Sequence, residues 1–88
     1  MYIHLGQETV IKSNEIIGIF DLENTTVSKN TRLFLAKAEK RNEVINVTYE
    51  LPKSFILTSN NKKKENKVYI SQISSSTLYK RSGFIDTL

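Results

Sequence analysis

The sequence has no cysteine and no tryptophan, and 88 residues include one proline, one histidine and three glycines. Without cysteine, neither a disulfide nor a thiolate metal site can form. A chain this short must then rely on a compact core, with a subunit interface as the remaining way to extend it. The lack of thiols also fits a reducing compartment. Glycines at 6, 18 and 83 are too scattered to build a loop that cradles phosphates. The lone histidine, His4, falls on an expected strand, where a structural or interface role is the common one. The carboxylates are dispersed; only Asp21 and Glu23 lie close together, on a loop. The run Ser74-Ser75-Ser76 has no basic partner in any nucleophile motif, and helix capping accounts for it. These absences exclude the usual catalytic constellations, so the expectation is a protein that is not an enzyme, with no metal and no cofactor. No apolar run approaches the roughly 18 residues of a membrane span. The start MYIHLGQE is neither basic nor followed by an apolar signal core. A cytoplasmic protein without membrane contact is expected.

What is present reads as one α+β domain over residues 1–88. Tyr2-Ile3-His4-Leu5, a turn at Gly6-Gln7, and Thr9-Val10-Ile11 suggest a first hairpin. Ile16 to Phe20 is a continuous apolar run, read as a buried strand in which Gly18 marks a close backbone approach. Ser28 can cap a helix over Lys29 to Asn42, with Val27 before it as a hydrophobic staple. On that helix Thr31, Phe34, Leu35 and Ala38 share an inner stripe, while Lys29, Arg32, Lys37, Lys40 and Arg41 form a basic outer arc. Leu33 and Ala36 fall inside the basic arc, an odd place for leucine unless a partner covers it. Ile45 to Tyr49 alternates as a half-buried strand, broken by Pro52. Ser54 to Thr58 and Val68 to Ser71 form a second hairpin around a polar, lysine-rich turn, and Thr77 to Phe84 a short terminal helix. The expected architecture is a small antiparallel sheet of hairpins around one central amphipathic helix, with a short C-terminal helix.

Charge is unevenly distributed. Residues 1–29 carry Lys12 and Lys29 against Glu8, Glu15, Asp21 and Glu23, a net of −2 within the total of +4. The remainder is therefore net +6, and such a basic half attracts polyanions. A lysine run in a turn is ordinarily a solvated turn, yet protruding basic hairpins also touch phosphates. Arginine, the better base reader, occurs only at 32, 41 and 81, which argues against strong base-specific readout by one subunit. Several copies would have to add weak phosphate contacts.

The opening MYIHLG, the segment EIIGIFDLEN, the helix SKNTRLFLAKAE, and above all LPKSFILT and ISSSTLYKR together resemble the RemA/RemB family of small bacterial regulators, most nearly its RemB branch. The resemblance covers nearly the whole chain and implies a DNA-binding transcriptional regulator of biofilm matrix genes that assembles into rings. A homo-oligomer would explain Leu33 and Ala36, which are the expected interface residues. One departure bears on DNA binding. RemA-type members carry an arginine cluster after the Thr-Tyr strand, whereas here Glu50-Leu51-Pro52-Lys53-Ser54 retains only Lys53.

The leading expectation is an oligomer that binds double-stranded DNA through Lys53, Lys62, Lys63, Lys64 and Lys67, with Arg32, Lys40 and Arg41 as second choices. The alternative is a protein–protein interaction module of a regulatory pathway that does not touch DNA itself.

Overall fold

The computed structural model describes residues 1–23 and 28–82. At its centre lies a four-stranded sheet in the order β3 (Ile16–Asp21), β5 (Ser54–Asn60), β6 (Glu65–Ser71) and β4 (Val44–Asn46). A separate two-stranded hairpin, β1 (Tyr2–Gly6) and β2 (Thr9–Lys12), is joined to β3 by a 3-10 turn at Ser13–Glu15. Helix α1 (Lys29–Lys40) follows β3, and α2 (Ser75–Ser82) follows β6. The α+β class is as expected, but the sheet rather than the helix occupies the middle. The reason is visible in β5, where neighbouring residues feed opposite layers. Phe55 joins Ala38, Val68, Leu35 and Ile70 on the α1 side. Ile56 joins Ile3, Leu5, Ile11, Ile19 and Leu78 on the side of the hairpin and α2. A strand covered on both faces must be apolar at successive positions, which is why β5 reads as a continuous apolar run. β3, expected to be buried, is instead an edge strand: only Ile19 is buried, and Ile17 and Phe20 are exposed.

Local chemistry sets the element boundaries. The first hairpin turns where expected, with Gly6 at φ 123° and Gln7 at φ 48°. The His4 ring bonds through Nε2 to the Gln7 carbonyl at 2.6 Å, which gives this histidine a structural role in the turn. At Gly18 an added Cβ would lie 2.7 Å from the Phe20 ring, so what crowds this glycine is a side chain and not the backbone expected there. Ser28 caps α1 by accepting from the Thr31 amide at 3.1 Å. The helix stops at Asn42, which takes a left-handed φ of 58°. Val27, read as a staple, lies outside the described residues, as do Gly83 and Phe84 at the end of the expected terminal helix. That helix begins earlier than its sequence suggested, because Ser74 accepts from the Thr77 amide at 3.3 Å.

Two strand expectations need correction. All pairings were expected to be antiparallel, but β4 runs parallel to β6 with Val44 opposite Val68. The strand expected over Ile45 to Tyr49 is also shorter. Thr48 Oγ1 accepts from the Glu50 amide at 3.1 Å, a local side-chain turn that pulls the backbone out of the ladder.

Candidate nucleic-acid interface

The β5–β6 hairpin closes in the turn expected from its asparagines and lysines. Asn60 Oδ1 accepts from the Lys63 amide at 3.1 Å and holds the turn closed. Lys64 takes a φ of 53°, a conformation that costs a side-chain-bearing residue about 1 kcal/mol and that glycine or asparagine adopts more readily. A lysine kept there places Lys62, Lys63 and Lys64 side by side, all exposed.

The sheet register gathers further cations at this end. Thr58 pairs with both Ile16 and Lys67, so the start of β3 and Lys67 flank the turn. The preceding 3-10 turn is tied to the same end, since Asn60 Nδ2 donates to Glu15 Oε1 at 3.0 Å. Lys12, the last residue of β2, thereby arrives beside the lysine turn and lines a depression with Lys62 and Lys63. On the other side of the sheet, the Val68 amide donates to the Glu43 carbonyl at 2.8 Å. That bond fixes the C-terminal end of α1, with Lys37, Lys40 and Arg41, at the same end of the sheet. The cations outnumber Glu15, Glu39, Glu43 and Glu65 in this region. Lys67 and Glu65 form an ion pair of 3.6 Å with both side chains about half exposed, so its pairing is weak and solvent-screened. Lys37, Lys40 and Arg41 sit at the carbonyl end of a helix, where the dipole's partial negative charge offsets part of their field. The turn lysines carry no such offset.

The sequence candidates therefore divide. Lys62, Lys63, Lys64, Lys67, Lys40 and Arg41 share one end. Lys53 and Arg32 lie at the other. Lys53 precedes β5, where its amide donates to Ser71 at 2.8 Å and its carbonyl accepts from Leu22 at 2.9 Å. Its Nζ is 3.9 Å from Glu23, a loose pair that partly neutralises it. Arg32 lies in the first turn of α1, its amide bonded to the Ser28 carbonyl at 3.0 Å. Lys12 was missed as a site residue because its sequence neighbours are acidic. Lys37 was seen on the basic arc but not assigned. Only the tertiary pairing of the first hairpin brings Lys12 to the turn.

Apolar side chains are exposed on and beside α1 as well. Leu33 is half exposed, and Ala36 is also exposed, on the outer side of α1. Phe20 stacks on Phe55 at a centroid distance of 4.8 Å, and Phe34 tilts against Phe55 at 6.4 Å. Together they border an open trough of about 270 Å³ between α1 and the sheet edge. Among the described residues, no group of His, Cys, Asp or Glu is placed to hold a metal ion, and no helix is long and apolar enough to cross a membrane.

Fold and surface together define a small α+β domain whose strongest chemical feature is a cationic sheet end. The chain belongs to the RemA-like family: the family model described as extracellular matrix regulatory protein A-like matches residues 2–81. It is also 38% identical over 85 residues to extracellular matrix regulatory protein B of Bacillus subtilis (strain 168), an alignment covering 97% of this chain and 94% of that protein. A regulatory role follows from this membership, and the likeness to the B-type relative agrees with the branch indicated by LPKSFILT and ISSSTLYKR.

Proposed function

We propose that this regulator binds double-stranded DNA as a homo-oligomer, with the cationic sheet end facing the phosphate backbone. The observation that carries the reading is the convergence of Lys12, the Lys62–Lys64 turn and Lys67 from separate segments onto one surface. Lysines on a protruding hairpin make phosphate contacts that position a protein without reading bases. Few contacts per subunit give weak binding, and repetition of the surface around an oligomer supplies the affinity. Catalysis has no place in this reading, because the site offers ammonium groups without an activated nucleophile or base.

Fluorescence anisotropy of labelled duplex DNA, titrated with protein at several salt concentrations, tests it. A log–log slope of about −0.9 for each phosphate neutralised is the signature of such a contact. Light scattering on the same sample reports assembly. Flat traces at low salt from folded protein refute DNA binding, and a monomer at high concentration refutes the oligomer.

A second reading has its own observation. Tyr49 and Leu51 are 102% and 86% exposed, on the segment where the resembled RemA pattern has arginines. Apolar side chains held that far into solvent favour a protein partner. A protein–protein module predicts no affinity for duplex DNA near physiological salt, and specific retention of a partner that is lost on Tyr49→Ser together with Leu51→Ser.

A further inference from the structure

The cationic end contains a depression as well as a convex turn. Between β2, the 3-10 turn and the β5–β6 hairpin lies an open cavity of about 390 Å³. Two smaller depressions adjoin it and share Glu15 and Asn60 as lining residues. Its volume falls within the range of small-molecule sites. One wall is aromatic and aliphatic, with Tyr2, Val10 and Tyr69, and the rim is cationic, with Lys12, Lys62 and Lys63.

The chemistry of the walls is more selective than that of a plain anion patch. Tyr2 and Lys12 are direct cross-strand partners, so a ring and an ammonium group stand side by side on the outer face of the hairpin. Tyr2 is 65% exposed, which leaves its ring available to a planar ligand. Glu15 is fixed by the 3.0 Å bond from Asn60 to its Oε1, which leaves Oε2 to accept from an amino group. A flat stacking surface, a carboxylate acceptor and three ammonium groups match the parts of a nucleotide: base, exocyclic amine and phosphates.

The geometry points to this cavity as a binding site for a free nucleotide whose base carries an exocyclic amine. The base stacks on Tyr2, its amino group donates to Glu15, and Lys12, Lys62 and Lys63 hold the phosphates. The site stands without the DNA reading, since its stacking ring, Tyr2, and its carboxylate, Glu15, are no part of the proposed DNA contact. It overlaps the proposed DNA surface through Lys12, Lys62 and Lys63.

Isothermal titration calorimetry on the full chain, without DNA, tests the assignment with ATP, GTP, AMP, GMP and pyrophosphate as probes. Saturable binding of at least one nucleotide at one site per chain is expected, with pyrophosphate weaker by at least about tenfold. Lys12→Gln and Tyr2→Ala should each weaken nucleotide binding by at least about fivefold. Tyr2→Phe, which keeps the ring, and Lys64→Gln, whose residue does not line the cavity, should leave it unchanged. Circular dichroism melts establish that each variant is folded. No saturable heat with any of the four nucleotides overturns the proposal. So does pyrophosphate binding as tightly as the nucleotides, or wild-type affinity in folded Lys12→Gln and Tyr2→Ala. Binding of a single-stranded oligonucleotide that depends on Tyr2 and Lys12, with mononucleotides silent, overturns it in favour of a strand groove.

Discussion

At one end of the central sheet polar side chains are buried and bonded; at the other they are cationic and solvated. At the first end, Ser71 Oγ donates to the Leu5 carbonyl at 2.6 Å and accepts from the Ile73 amide at 3.0 Å. Ser54 Oγ donates to the Ile73 carbonyl at 2.7 Å, and both serines are fully buried. These bonds tie β5, β6, β1 and the approach to α2 into one unit. Tyr79 adds a bond from its hydroxyl to the Ile19 carbonyl at 3.0 Å, and Arg81 donates to the His4 carbonyl at 2.9 Å, so α2 is anchored to both β3 and β1. At the opposite end one long-range side-chain bond, from Asn60 to Glu15, stands beside a local turn closure, and the lysine side chains reach into solvent. One end carries stability and the other presents charge, so changes at the two ends should affect different measurements.

The sharpest separation comes from the core. Ile56→Ala removes a fully buried side chain at the middle of β5 and should cost about 2–5 kcal/mol in chemical denaturation. Ser71→Ala should cost about 1–3 kcal/mol, because it leaves the Leu5 carbonyl and the Ile73 amide without this partner. The same change should leave DNA affinity of the folded protein as it was. At the turn end the sign reverses. Lys64→Gly relieves the left-handed conformation and should raise stability by about 0.5–1 kcal/mol while removing one cation. A loss of stability in Lys64→Gly would break the comparison, since it would mean that the turn lysine also holds the fold.

Local signals made much of the fold readable. Ser28 followed by helix formers, the turn at Gly6-Gln7, and the polar stretch between two apolar runs each specify an element through nearest neighbours. The lysine turn was readable for the same reason. Pairing order was not, because parallel contact between β4 and β6 depends on how α1 crosses the sheet. Nor was the division of the basic residues between two ends. Lys53 and the turn lysines are separated by a single strand in sequence and by the full length of that strand in space. Lys12 shows the converse: it sits in an acidic stretch of sequence, yet strand pairing carries it to the basic surface.

The central claim is that DNA meets the turn end and not the opposite one. The direct measurement is the salt dependence of duplex binding for two variants with charge removed from opposite ends: Lys62, Lys63 and Lys64 all changed to alanine, and Arg32→Ala with Lys53→Ala. The turn variant should bind at least about tenfold more weakly, with a slope shallower by roughly two to three units, while the opposite-end variant follows the wild type. Equal losses in both variants, or a loss confined to Arg32→Ala with Lys53→Ala, would contradict the account.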